Sequence, residues 1–183
     1  MSPARRPAGF SAARTAALAL AAGALVAGAA WLAHWFSPGA RLARRTLALA
    51  ATLELDAAPL PPLDAARRLL AVEGALAPDA VAEFAWNGDS WSVEGRREIK
   101  DLHAALLAEA PRVSLHLDGL RAVAAGRPGP DAVDTEASAG LRVSGEGADW
   151  RGPLHATIRW RRGEDGWRIV HAAVRAETEE GFP

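Results

Sequence analysis

The period of the chain changes at Pro111. Beyond it, apolar and polar residues alternate through "RVSLHLDGLRAVA", "AVDTEASAGLRVSG" and both arms of "DWRGPLHATIRWRRGEDGWRIVHAAVRAE". Side chains of a strand point alternately to its two faces, so these stretches are expected to be four long strands of an antiparallel sheet with one face to bury. "AGRPGPDA" is the turn signal between the first two, and "GEGADW" near Gly145 reads as a hairpin turn rather than a phosphate loop.

Helical signals dominate before Pro111. After a Ser37-Pro38-Gly39 break, "ARLARRTLALAATLEL" reads as a helix that the prolines of "DAAPLPPL" (56–63) terminate. A second helix is expected from Asp64 as N-cap, with Leu69, Leu70, Val72 and Leu76 on its apolar side, stopping before Pro78. "DAVAEFAW" and "SWSVEG" flank Asn87-Gly88-Asp89 and read as a short hairpin. "RREIKDLHAALLAEA" supplies a third helix, with Ile99, Leu102, His103 and Leu106 at i, i+3, i+4 and i+7. Helices followed by strands imply an α+β domain: three helices on one face of a strongly bent antiparallel sheet, in the order α-α-β-β-α-β-β-β-β.

The segment Thr15–Phe36 holds no Asp, Glu, Lys or Arg. As a helix its length is roughly 33 Å, enough for a hydrocarbon core of about 30 Å, and Trp31 and Trp35 suit an interfacial anchor. A transmembrane anchor over 15–36 is therefore expected, preceded by a short basic tail (1–14). A juxtamembrane helix and Pro-rich linker (37–62), the folded domain (63–177) and a tail (178–183) follow. The alternative is secretion after cleavage of a signal peptide near Ala30, where Gly28-Ala29-Ala30 resembles a cleavage site. Arg5, Arg6 and Arg14 on one side balance Arg41, Arg44 and Arg45 on the other, so charge does not decide orientation. The expectation of a bacterial inner-membrane protein with an exported, periplasmic domain rests on the likeness to a signal sequence and on alanine- and arginine-rich usage. Gly23 with Ala27, or Ala24 with Gly28, has the small-xxx-small spacing of paired membrane helices, which arises readily in alanine-rich sequence.

The chain has no cysteine, which removes disulfides, thiolate catalysis and cysteine-ligated metals. Residues 37–183 carry 18 of the 21 basic and all 22 acidic residues, a net charge of −4, and offer no basic footprint for nucleic acid. No G-x-S-x-G, P-loop or G-x-G-x-x-G occurs, and no histidine pair has metal-ligand spacing, so neither cofactor nor metal is expected.

The element order, the strand–glycine–helix step in "SVEGRREIKDLHAALL" and the Gly-Trp-x-Ile turn exit in "GEDGWRIVHAAV" resemble the nuclear transport factor 2-like superfamily of cone-shaped α+β domains, over roughly residues 63–177. The resemblance implies a fold whose enzymes keep their pocket at the open end of the cone: ketosteroid isomerase, scytalone dehydratase, limonene epoxide hydrolase and polyketide cyclases. It also implies kinship with members that only bind partners or multimerise, among them a periplasmic core component of type IV secretion systems with such a domain after one membrane helix. The isomerase pattern needs a tyrosine donor beside a protonated acid, and this chain has no tyrosine. Fold alone leaves function open.

With Glu164 and Asp165 as the hairpin tip, Ile158 is expected opposite His171 and His155 opposite Val174, so the two histidines take opposite faces. A register one residue off puts His171 opposite Arg159 and leaves the histidines about four positions apart, on the order of 13 Å. His171 is then expected to point into the cone, in a pocket with Trp86, Ile158, Trp160 and Trp167. There it can serve as general base, with Glu83 or Asp89 as partner acid, or be a structural histidine beside tryptophans. His116 is expected on an exposed sheet face and His103 at the core edge. Arg159, Arg161, Arg162 and Arg168 form a candidate site for an acidic partner, or simply keep the sheet wet. Two functions are compatible with these features. One is a membrane-anchored, non-catalytic binding or assembly domain that meets a protein partner or a second copy. The other is a small-molecule hydratase, isomerase or hydrolase with His171 as base. An open apolar pocket would favour the enzyme, and a cone filled by Trp86, Trp160 and Trp167 the scaffold.

Overall fold

The structure, a computed structural model, describes residue 27 and residues 35–126, 129–145, 148–177 and 179–180. The chain divides into two compact units between Ser37 and Pro38, and the helices and strands of the folded domain belong to the second. The expected membrane helix (15–36) lies outside the described residues except at 27, 35 and 36. Among the described residues no helix is long and apolar enough to cross a membrane.

Helix α1 (Pro38–Ala50) buries Gly39, Leu42, Ala43 and Thr46, the i, i+3, i+4, i+7 set of a helix with one covered stripe. It packs on the long strands β4 (Val113–Ala125) and β5 (Ala132–Gly145). The expected juxtamembrane helix is therefore part of the domain core. The helix was expected to run on to Leu55. A 3-10 turn (Ala51–Leu53) instead leads to a two-residue strand β1 (Leu55–Asp56), in which Leu55 pairs with Leu115 and is 1% exposed among Leu107 and Ala110. Burial of one leucine outweighs continued helix.

Helix α2 (Pro62–Ala75) starts at Pro62 rather than with Asp64 as N-cap, because proline at the first position gives up only an N–H that the helix leaves unpaired; Asp64 falls in the first turn, where its charge complements the dipole. At the other end the Gly74 carbonyl accepts hydrogen bonds from the Arg45 and Arg168 guanidinium groups. Strand β2 (Leu76–Trp86) runs through Pro78, and its pairing is irregular between Leu76 and Val81, where proline cannot donate to a ladder. Asn87 (φ 49°) and Gly88 (φ 95°) make the left-handed turn into β3 (Asp89–Glu94). Helix α3 (Arg96–Ala108) buries His103 and Leu107, while Leu102 is 41% exposed; the covered stripe is rotated from the expected one. Packing of α3 on both α2 and β2 sets that rotation.

Strands β4, β5, β6 (Ala148–Gly163) and β7 (Gly166–Ala176) form an antiparallel meander, and β8 (Glu179–Glu180) pairs with Trp150 and Arg151 of β6. The sheet order is β1-β4-β5-β6-β7-β2-β3. The sheet is not wholly antiparallel, because β2 joins the meander alongside β7 in parallel, where two separately built hairpin systems meet edge to edge. Register shifts near Gly119 of β4 and at Val170 of β7 bend the long strands. Gly119 holds φ 65°, a conformation that costs an L side chain roughly 1–2 kcal/mol. The inner face carries one apolar cluster of Leu42, Leu76, Val133, Trp160 and Ile169, and a second of Leu117, Leu141, Val143 and Ala176.

Candidate functional site on the outer sheet face

The bulge at Val170 decides where His171 points. From Gly163–Gly166 to Trp160–Ile169 the hairpin keeps the expected register, and then His171 pairs with Arg159 instead of Ile158. Val170 is the extra residue. Beyond it Ala172, Val174 and Ala176 take the inner face, and His171 goes to the outer face with His155, which stands opposite Arg175. The expectation that His171 points into the cone, on the face opposite His155, is corrected. The two histidines share a face but remain four strand positions apart.

On that face His171 Nε2 lies 3.2 Å from Glu83 Oε1, with side chains 39% and 57% exposed. The register Asp134–Arg159–His171 continues the row across β5, β6 and β7. Arg159 grips Asp134 with two hydrogen bonds, at 2.9 and 3.0 Å. These bonds, then the Arg159 and His171 charges, hold the Asp134 carboxyl below its ordinary pKa, and Asp134 raises that of Arg159 in return. Arg161 donates to Asp79, whose pKa is lowered first by that hydrogen bond. The candidate arginine site is thus divided: Arg159 and Arg161 each hold an acid, Arg168 donates to the Gly74 carbonyl, and Arg162 pairs with Trp167 near the hairpin tip. Asp89 pairs with Trp86 at the β2–β3 turn, six residues from Glu83 along the chain.

The residues expected to line a pocket with His171 lie on the other side of the sheet. Trp160 is 0% exposed; its Nε1 donates to Thr135 Oγ1 at 3.1 Å. Thr135 Oγ1 is also 3.0 Å from Thr46 Oγ1 and 3.4 Å from the Ile158 carbonyl. Three partners match the one donor and two acceptor sites of a hydroxyl, so this buried polar group is satisfied. Arg45 closes the assembly from α1: its guanidinium lies 5.2 Å from the Trp160 ring centroid, and Nη1 donates to the Trp167 carbonyl at 3.0 Å. Burial, then the Arg168 charge, lowers its pKa. An arginine expected to flank a membrane segment is thus bound into the domain. Ile158 and Trp167 pack against the cluster around Trp160, and Trp86 meets Trp150 edge-on at 5.6 Å in the second cluster.

Of the remaining histidines, His116 Nδ1 is 3.9 Å from Asp56 Oδ1 and 40% exposed. His103 is 6% exposed, with Nε2 buried and unpaired; burial, then the Arg68 charge, lowers its pKa. Among the described residues no three His, Asp or Glu side chains gather as a metal site.

The outer face carries two open concavities. One, of about 370 Å³, is lined by Glu83, Ser90, Trp91, Ser92 and Arg175; the other, of about 340 Å³, by Arg121, Val123, Glu136, Ser138, His155 and Thr157. Sequence reading passed over Arg121, Val123 and Glu136. Alternation places Arg121 and Val123 on one face of β4, but which residues of β5 stand beside them depends on the register shift after Asp118. The face thus presents paired charges, serines and histidine in open grooves.

No protein-family model matches the chain, and no curated protein matches it. Solved structures do. A candidate aromatic ring hydroxylase from Novosphingobium aromaticivorans is 17% identical over 62% of this chain and 79% of its own, with a TM-score of 0.50. A candidate scytalone dehydratase from the same organism is 10% identical over 76% and 85%, with a TM-score of 0.51. An NTF2-like protein with a cystatin-like fold, also from N. aromaticivorans, is 20% identical over 74% and 80%, with a TM-score of 0.46.

The fold is an α+β cone of three helices on a strongly curled, mostly antiparallel sheet, an architecture shared with the neighbours at TM-scores of 0.50 and 0.51. At these identities the likeness is one of architecture, and fold alone does not assign an activity.

Proposed function

We propose that this is a membrane-anchored, non-catalytic binding or assembly domain whose outer sheet face is its interaction surface. One observation carries the reading: the space between α1 and the sheet is filled by Trp160 and its satisfied partners, while ionisable groups and the exposed Val123 collect on the opposite face. The uncharged segment 15–36 supplies the anchor, and an exported, periplasmic domain follows from its likeness to a signal sequence.

A second reading, a small-molecule enzyme with His171 as base, draws support from the 3.2 Å contact with Glu83. Against it, the pair is well exposed, and His171 does not line the neighbouring concavity.

Because the chain has no cysteine, single introduced thiols report position without background. The full-length Thr157→Cys and Asp165→Cys proteins would be treated in bacterial spheroplasts with a membrane-impermeant maleimide. The expected result is retention in the membrane fraction, rapid labelling at position 165 on the hairpin tip, and slow labelling at position 157 on the outer face. Release of a chain beginning near residue 31 would overturn the anchor. Absence of label at 165 would overturn the export, and equal labelling at both positions would overturn the covered face.

A further inference from the structure

Two guanidinium groups from distant parts of the chain meet at the end of α2. Arg45 of α1 donates from Nη2 to the Gly74 carbonyl at 3.3 Å, and Arg168 of β7 donates to the same oxygen. Gly74 is the penultimate residue of α2, so its carbonyl is among the last that the helix leaves unpaired. Capping accounts for one arginine. The end of a helix offsets only about half of one positive charge, and two converge on it here. Burial and then the Arg168 charge lower the pKa of Arg45, as expected of neighbouring cations. Arg41, exposed and one turn before Arg45 on α1, adds a third positive charge to that side of the helix.

No acid balances them. Among the described residues none of the three holds a carboxylate, whereas Arg159, Arg161 and Lys100 each hold one. Glu73, next to Gly74 in the chain, is engaged by Lys100 of α3 at 3.2 Å. The arginine pair is also open to a ligand. Gly74 and both bonds to its carbonyl are exposed, and a Cβ added there would meet nothing within 4 Å. Arg45 gives two N–H groups to protein carbonyls and Arg168 one, so most donors of the pair remain for a bound anion.

We infer that Arg45 and Arg168 bind a phosphate group beside Gly74. A phosphate presents acceptor oxygens in several directions and so accepts from two guanidinium forks at once, which a single planar carboxylate does less well. A lipid headgroup is the expected source. Only Ser37 separates the uncharged segment 15–36 from α1, and Arg45 lies about 10 Å along that helix from Pro38. The choice of source rests on the membrane-anchored reading; the site itself does not.

The test is the melting temperature of the full chain in a phosphate-free sugar detergent, followed by circular dichroism. Inorganic phosphate or a short-chain phosphatidylglycerol is added at constant ionic strength. Both are expected to raise the melting temperature, by about 3 °C or more near saturation. The lipid is expected to act at a concentration at least about tenfold lower, because it shares the micelle with the membrane segment. Arg168→Gln, which leaves Arg45 over Trp160, is expected to lose most of each shift. Gly74→Glu removes neither arginine; it sets a carboxylate beside both and is expected to abolish the shifts. Gly74→Gln, the control for helix propensity, keeps them.

No shift with either ligand would overturn the inference. So would shifts retained in full by Arg168→Gln and Gly74→Glu, which would be a general effect of the added salt on folding. Inorganic phosphate acting at lower concentration than the lipid would overturn the headgroup as source. Failure of the anchor is distinguishable: a chain cleaved near residue 31 would still respond to inorganic phosphate, whereas an anchored chain without a response would lack the site alone.

Discussion

Trp160 and His103 are both buried, with opposite consequences. Trp160 has every polar requirement met, through Thr135 and the overlying Arg45. Trp160→Ala is expected to cost about 3–5 kcal/mol in urea unfolding, as transfer and cavity terms combine. Trp160→Phe, which removes chiefly the bond to Thr135, is expected to cost about 1–2 kcal/mol. His103 has a buried Nε2 without a partner, and burial lowers its pKa, so the folded chain resists a proton that the unfolded chain accepts below about 6.5. Stability from this residue is therefore full above about pH 6.5 and lost as pH falls below it. Unfolding curves at pH 7.5 and 5.5 should show wild type losing more stability than His103→Leu. Equal losses would show that the imidazole is not the group responsible. The sequence did place His103 at the core edge, because four apolar or semi-apolar positions shared a helical stripe. Its unpaired nitrogen was not legible, since no local pattern names the atoms across the helix interface.

Among the elements, the strands were legible and their irregularities were not. Alternation marked β4 to β7 to within a few residues, and Asn87-Gly88 marked the first hairpin. The bulge at Val170 has no signature in "WRIVHAAV", yet it turns His171 outward. Gly119 offers a direct test of how much such irregularities matter. Its φ is 65° and a Cβ there would meet nothing within 4 Å, so Gly119→Ala isolates the backbone cost, expected at about 1–2 kcal/mol by denaturant unfolding. Gly140, opposite Asp118 in the neighbouring strand, lacks the positive φ, and an added Cβ makes ordinary contacts at 3.6 Å. Gly140→Ala should be neutral or stabilising by up to about 1 kcal/mol. Similar losses at the two positions would mean the bulge at Gly119 does not require its left-handed backbone.

At the scale of the whole molecule, α1 is the element whose role changed most. As sequence it reads as a juxtamembrane connector, since it follows the apolar segment and precedes a proline-rich stretch. In the fold it supplies Leu42 and Thr46 to the interior and Arg45 to the Trp160 assembly. A chain beginning at Pro38 is therefore expected to show a single cooperative thermal transition. One beginning at Glu54 should lose that transition, because the sheet face under α1 is left uncovered. Circular dichroism melts of the two chains check this, and equal cooperativity would return α1 to the status of a linker. The same assembly bears on function, because the indole that was a candidate pocket wall is the plug of the interior.

What the sequence determined by itself was whatever depends on neighbours along the chain: the switch of period at Pro111, the helices before it, the turns, the absence of thiol chemistry, and an α+β domain with helices on one face of a bent sheet as the way to bury those faces. Tertiary structure alone decided whatever depends on partners across the sheet. The parallel seam of β2 with β7, the extra residue at position 170, the docking of α1, and the placing of Arg121 and Glu136 on one face across a shifted register are all of that kind. A shift of one residue between strands leaves local composition and propensity untouched and moves every side chain beyond it to the other face. The candidate site was therefore the part of this protein least readable in advance.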